Sequence, residues 1–366
     1  NVYYKVVGDG NHNDTDEAGP VIVTISAKTL TITAEAKSKT YGDEDPELTY
    51  TSEGLVEGDA ITGELTRDAG EVVGNYAISQ GTLTAGDNYT ISYTGANLTI
   101  SAKALTITAD SDTKEYDGNA LTKDSYTNTA LAEGDVIESV TITGSQTDMG
   151  SSENVPSDAV IKNADGDNVT TCYNITYVNG TLTVTGKLIT ITAESDTKEY
   201  DGTALTKNSY TCDGTLFAND EITSVTVTGS QTAAGSSNNV PSAAVIMNGE
   251  TDVTANYTIT YVNGTLEVTQ KALTITADSE TKVYDGTALT KNTFTNTDLA
   301  TDDIIESVTM TGSQTVVGTS DNEPTAAVIK NASDEDVTSS YAITFAKGTL
   351  TVTQKIARSE ERRVGK

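Results

Sequence analysis

The sequence predicts an all-β chain, a tandem array of small modules joined into an elongated rod. Three observations carry that expectation. Apolar residues alternate with a period of two, a set of motifs recurs every 84 residues, and no flexible spacer separates one copy from the next. The alternation is clearest at Ala104–Ala109, where Leu105, Ile107 and Ala109 point one way and Thr106 and Thr108 the other. It returns at Ile189, Ile191 and Ala193, and again at Leu273, Ile275 and Ala277. Thr, which occurs 66 times in 366 residues, and the β-branched aliphatics fit a pleated surface with one wet and one buried face.

The repeat sets the organisation. Tyr-Asp-Gly stands at Tyr116–Gly118, Tyr200–Gly202 and Tyr284–Gly286, 84 residues apart each time, and Lys103, Lys187, Lys271 and Lys355 keep the same step. A divergent earlier copy opens at Lys28 and carries Tyr41-Gly42-Asp43. A fixed period implies one supersecondary unit per copy, which places modules at 28–102, 103–186, 187–270 and 271–354. Residues 1–27, ending in Val21–Ser26, read as the end of a truncated preceding module, and 355–357 as the start of a truncated further one. The chain begins at Asn1 without an initiator Met or signal-like segment, which reads as a piece of something longer. Residues 358–366, Arg-Ser-Glu-Glu-Arg-Arg-Val-Gly-Lys, hold four of the 22 basic residues and read as a non-native tail, with a basic targeting tail as the other reading.

Within a module, Ile175–Val178 and Thr181–Val184 flank Asn179-Gly180, a pair suited to the positive φ angles of a two-residue hairpin turn; Asn263-Gly264 repeats it. Gly118, Gly144, Gly150 and Pro156 punctuate the other strands, and a helical turn is expected at Leu131–Asp135. From Thr181 to Ile191 one strand runs almost directly into the next, leaving little chain to bend. Strands of about 10–12 residues make a module roughly 35–40 Å long, and four in series on the order of 150 Å.

Opening with Lys-Ala-Leu-Thr-Ile-Thr-Ala-Asp, continuing through Thr-Lys-x-Tyr-Asp-Gly-x-Ala-Leu-Thr and closing with Asn-Gly-Thr-Leu-x-Val-Thr, residues 103–354 resemble the YDG repeats of bacterial extracellular proteins. Residues 28–102, through Tyr41-Gly42-Asp43-Glu44-Asp45-Pro46-Glu47-Leu48-Thr49-Tyr50, resemble the related MBG repeat of the YGX type. The resemblance implies β-grasp-like or Ig-like β-sandwich modules in an adhesin-like protein, extracellular, at the bacterial cell surface or secreted. It brings no active site with it.

The chemistry is sparse. With 53 acidic and 22 basic side chains the formal net charge is −31, against the clustered cations that nucleic acid demands. One histidine, His12, excludes sites needing two imidazoles, and no nucleophile–base–orienter set can be assembled. No apolar run nears the ~20 residues of a membrane span. In the triplet, Asp117, Asp201 and Asp285 are candidate ligands or catalysts, but Tyr as packing residue, Asp as turn acceptor and Gly as supplier of positive φ explain it better. The acidic loops Asn163–Asp167 and Asp9–Asp14 lack a full calcium ligand set. Lys114, Lys198 and Lys282 with Asn154, Asn239 and Asn322 are candidates for intramolecular isopeptide bonds, with hydrated lysines and turn asparagines as the simpler account. Cys172 and Cys212 occupy inequivalent places, which excludes a repeated disulfide and leaves a single bridge open. The expectation is a non-enzymatic stalk or spacer, a monomeric rod with no catalytic, cofactor or metal residues and no cofactor. Host glycans or glycoproteins are met, if at all, through other parts of the full protein. An adhesive module that itself recognises them is the alternative, weakened by the absence of Trp.

Overall fold

Leu30, Ile32 and Ala34 are buried while the intervening threonines face water, so the period-two pattern does place one face of the strand Lys28–Ala34 in a core. In the computed structural model, which describes residues 2–13, 16, 18–21 and 24–356, the chain is all-β; three short 3₁₀ turns, at Thr170–Cys172, Thr254–Asn256 and Thr338–Ser340, are its helical elements among those residues. No helix there is long and apolar enough to cross a membrane. The chain divides into two compact units. The first runs to Thr183 apart from two loops; those loops, Glu115–Asn119 and Thr147–Met149, belong with the chain from Val184 onward in the second.

In the first unit, Lys28–Ala34 is the centre of a three-stranded sheet, antiparallel to Tyr50–Glu53 and parallel to Tyr89–Thr94. Beside it a four-stranded sheet takes Lys37–Thr40, Ala96–Ser101, Gly74–Ser79 and Thr66–Arg67 in that order, with Lys37–Thr40 parallel to Ala96–Ser101. Lys103–Ala109 starts a second such pair of sheets, flanked by Tyr126–Asn128 and Tyr173–Val178. Val2–Tyr4 pairs with Ala18–Val21. In the second unit, Lys187–Ala193 and Lys271–Ala277 each centre a three-stranded sheet with the same mixed pairing, again accompanied by a longer-stranded sheet. The two-sheet arrangement without an α-helix takes the sandwich option of the expected module types. The expected strand at Val21–Ser26 falls partly outside the described residues, as do Ala357 and the whole tail 358–366.

The hairpin expected at Asn179-Gly180 does not form. Tyr173–Val178 lies in the three-stranded sheet and Gly180–Thr185 in the other, so the dipeptide is a corner between sheets. Gly180 is not there for positive φ. A Cβ on it would lie 2.4 Å from the Asp110 carbonyl oxygen and 2.6 Å from that of Ala109, so the corner requires a residue without a side chain. The same close approach recurs at Gly264 and Gly348. Nor does Leu131–Asp135 form a helix; it closes a turn through the Asp135 N–H on the Ala132 carbonyl.

Asn154, Asn239 and Asn322 are not turn residues either, since all three are buried. Each donates twice to main-chain carbonyls: Asn154 to Asp110 and Lys123, Asn239 to Glu194 and Lys207, Asn322 to Asp278 and Lys291. Those carbonyls have no sheet partner at the corner, and a buried amide satisfies them.

Candidate functional site

The backbone positions the triplet tyrosine before its side chain is considered. Tyr41 follows the short strand Lys37–Thr40 and donates its N–H to Ser101 O at 2.8 Å, the last residue of the strand Ala96–Ser101. Lys103 opens the next sheet two residues later, so the phenol stands at the threshold of the following core. It goes in. Tyr41 packs with Leu105, Ile107, Ile161 and Tyr173, and its ring meets that of Tyr173 edge to face at 5.5 Å and 75°. The Tyr41 and Tyr173 hydroxyls both donate to Asp135 Oδ2, at 3.0 and 2.6 Å, while the Tyr173 hydroxyl accepts the Ala132 N–H at 2.9 Å. Gly42, at φ +83°, leaves room for that contact: a Cβ there would sit 2.5 Å from the Ala132 Cβ.

The second unit builds the arrangement twice. The Tyr116 ring packs at 6.0 Å from Phe217 and 5.8 Å from Tyr257, edge to face in both cases. Tyr257 donates to Asp220 Oδ2 at 2.6 Å and accepts from the Phe217 N–H. A Cβ on Gly118 would lie 2.2 Å from the Phe217 ring. Tyr200 meets Tyr341 at 5.4 Å; Tyr341 donates to Asp303 Oδ2 at 2.7 Å and accepts the Ala300 N–H at 2.8 Å. Burial first, then the adjoining Asp303 carboxylate, pushes the Tyr200 phenol up to about 12. Burial is also the leading cause that raises Tyr41, Tyr173, Tyr257 and Tyr341. Two polar clasps sit beside these rings. Met149 N–H donates to Asn256 Oδ1 at 2.7 Å while Asn256 Nδ2 donates to Asp148, and Ala234 N–H donates to Ser340 Oγ at 3.0 Å. Opening lysines reach back to the acid before each tyrosine, Lys187 to Glu115 at 3.0 Å and Lys271 to Glu199 at 3.5 Å.

Residues 30–99 match the family model of the MBG domain (YGX type). No curated protein matches the chain. Among solved structures, Drosophila N-cadherin EC1-4 aligns at 9% identity and a TM-score of 0.20, covering 88% of this chain and 99% of its own. A structure described as the basis for Dscam isoform specificity aligns at 11% and 0.17, covering 92% and 100%. At such scores these two likenesses carry no inference about this chain.

The MBG domain has a socket of its own. Tyr89 donates to Asp59 Oδ2 at 2.6 Å and accepts the Val56 N–H at 2.9 Å, the pair of bonds that Tyr173, Tyr257 and Tyr341 make. Its Lys39 stands where the later copies have Lys114, Lys198 and Lys282, and pairs with Asp45 at 2.7 Å and with Glu71.

The triplet acids close turns rather than face a cleft. Asp201 Oδ1 accepts from Thr203 N–H, Thr203 Oγ1 and Lys198 Nζ at 2.6–2.9 Å, and Asp285 does the same with Thr287 and Lys282. Asp117 accepts the Asn119 N–H. Lys198 lowers the Asp201 carboxyl, and the Thr287 N–H, followed by Lys282, takes Asp285 down to about 2. Gly118, Gly202 and Gly286 have φ between +70° and +84°. The isopeptide candidates are engaged apart: Lys198 and Lys282 hold the turn, whereas Asn239 and Asn322 hold main-chain carbonyls. Asn163 Oδ1 accepts the N–H groups of Asp165 and Asp167, a closed turn, and no acidic metal cluster occurs among the described residues. In the other loop Asp9 accepts from Asn11 and His12, and Asp14 lies outside the described residues. Cys172 is buried, Cys212 exposed, and both are free thiols.

Asp135, Asp220 and Asp303 are the functional residues that sequence reasoning missed. Their signal is an acid 37 or 38 residues before a strand-opening tyrosine, a spacing that wavers because the intervening loop varies. Cys172, Asn256 and Ser340 form an equivalent set whose last two members carry the polar clasps.

Proposed function

We propose that this chain is a non-enzymatic stalk or spacer segment of a bacterial cell-surface, adhesin-like repeat protein, in which successive modules at 28–102, 103–186, 187–270 and 271–354 are locked by a tyrosine plug in an aspartate–tyrosine socket. The carrying observation is the burial of Tyr41, Tyr116 and Tyr200 in the core of the following copy, at 7, 5 and 2% exposure. A plug buried there resists bending, because tilting a joint exposes an aromatic ring and, at Asp135, costs the carboxylate one of its two tyrosine donors. The acidic, Thr-rich faces keep like chains apart through charge. The resemblance to MBG and YDG repeats supports an extracellular setting. Small-angle scattering on the 366-residue chain tests the reading. The expected profile is that of a stiff elongated particle, and the Tyr200→Ala variant gains a flexible joint. A compact wild-type profile overturns the stalk.

A further inference from the structure

One short sequence takes two backbone forms within the second unit. Ala243-Ala244-Val245-Ile246 and Ala326-Ala327-Val328-Ile329 are identical and lie in equivalent long strands, Gly235–Asn248 and Gly318–Lys330. Each strand pairs antiparallel with a neighbour, Asp220–Thr228 in one copy and Ile304–Thr311 in the other. The ladders agree on either side of the difference: Ser224 faces Val245 as Ser307 faces Val328, and Val227 faces Pro241 as Met310 faces Pro324. Between those points each long strand carries one extra residue, a β-bulge, but at different places. In the earlier copy Ala243 and Ala244 stand against the single Val225, and Thr226 faces Ser242. In the later copy Val308 faces Ala327, Thr309 faces Ala326, and Thr325 is the residue left over.

The earlier form is strained. Ala243 sits at φ +49°, a left-handed conformation that alanine has no intrinsic reason to adopt, whereas Ala326 lies outside that region. Its surroundings must hold it there. A bulge takes main-chain groups out of the ladder, and the Ala244 N–H donates to the Tyr261 hydroxyl at 2.8 Å, from a residue only 6% exposed. At the equivalent place the later copy has Phe345, which offers no acceptor. The first unit repeats the correlation: the Ala159 N–H donates to the Tyr177 hydroxyl at 2.8 Å, Asp158 stands at φ +50°, and Thr141 faces Ser157. The hydroxyl side chains on the strand itself do not discriminate. Ser242 Oγ donates to Thr226 O at 3.4 Å, and Thr325 Oγ1 to Thr309 O at 3.3 Å.

We propose that one phenolic hydroxyl selects the register of this strand pair. Tyr177 and Tyr261 are positioning residues that accept the N–H freed by the bulge and so hold the strained form. Phe345 provides no such partner, and the bulge moves one residue toward the start of the strand. Sliding a bulge changes how side chains meet the core: Ala159 and Ala244 are buried, whereas Ala327 is half-buried.

Crystal structures of the full chain carrying Tyr261→Phe and, separately, Phe345→Tyr read the register directly. Tyr261→Phe is expected to take Ala243 out of positive φ and set Thr226 opposite Ala243, with Ser242 left over. Phe345→Tyr is expected to put Ala326 at positive φ, with the Ala327 N–H on the new hydroxyl and Thr309 opposite Thr325. Alanine Cα and Cβ NMR shifts at 243 and 326 report the same change of φ in solution. A third variant keeps Phe345 and removes the other differences in the paired stretch, through Met310→Val, Glu323→Val and Thr325→Ser; its register stays as in the parent. Either single variant that retains the parent register overturns the proposal, and so does a shift in the triple variant, which would assign the choice to the strand's own side chains.

Discussion

Tyr200 and Tyr284 are the same residue of the same motif, and they differ in burial, Tyr200 lying in a core and Tyr284 at the surface. Replacing each by Ala therefore separates what the joint contributes from what the motif contributes locally. At Tyr200 the change removes a ring that is 2% exposed, packed at 5.4 Å on Tyr341 and adjoining the Asp303 carboxylate. Truncating a buried large aromatic costs about 3–5 kcal/mol, and the aromatic pair lies within that figure. Asp303 keeps its bond from Tyr341 at 2.7 Å, so no fully stripped acid is added to the loss. Tyr284 is 42% exposed, and Tyr284→Ala is expected to cost under ~1 kcal/mol. Urea unfolding of the two variants under identical conditions should differ by roughly 3 kcal/mol in the affected transition, and Tyr200→Ala should split a shared transition because the repeats on either side lose their coupling. Equal destabilisation by the two changes would refute the reasoning, since the tyrosine would then act within its own copy.

Two other outcomes follow from the same geometry. Gly118→Ala and Gly286→Ala impose the same kind of positive-φ strain, but only the first drives a Cβ to 2.2 Å from the Phe217 ring; thermal melts should show Gly118→Ala costing at least ~1 kcal/mol more. Alkali should open the joints. The Tyr200 phenol is held at about 12 against an ordinary 10.0, so its stabilisation is complete below pH 10 and is lost as pH rises through 12. Followed by phenolate absorbance and circular dichroism together, Tyr200 should ionise only with unfolding. A buried tyrosine that titrates at pH 10 in the folded chain contradicts the assignment.

The sequence displayed the strands because each copy repeats Thr between buried aliphatics, and Leu30, Leu105, Ile189 and Leu273 all ended inside. It misled at Asn179-Gly180 because local turn chemistry is blind to which sheet each flanking strand joins. The parallel pairing of Lys103–Ala109 with Tyr173–Val178, about 70 residues apart, decides the matter, and then the glycine answers to the Asp110 and Ala109 carbonyls instead. The buried asparagines were illegible for a related reason: Asn154 looks like a turn residue until Asp110 and Lys123 are known to converge on it. The joint itself was half visible. Tyr and Gly of the triplet kept their step, but the socket acids belong to a variable loop of the following copy, and nothing local links Tyr200 to Asp303.

That division explains why the triplet looks like a motif for chemistry and behaves as one for coupling. Asp201 Oδ1 accepts from Thr203 and Lys198 and so holds a turn. The turn presents Tyr200 and a glycine with no side chain at the point where the next chain segment arrives, and the receiving Tyr341 and Asp303 are already bonded to each other and to Ala300. Each half thus carries hydrogen bonds of its own besides the ring contact between Tyr200 and Tyr341. Leu205, Leu266 and Val268 share one core with Leu273, Ile275 and Tyr341 of the following repeat. Stability in such an array resides in nearest-neighbour contacts as much as in the units. On the stalk reading proposed above, each added copy would also bury one more tyrosine of the kind seen at Tyr41, Tyr116 and Tyr200.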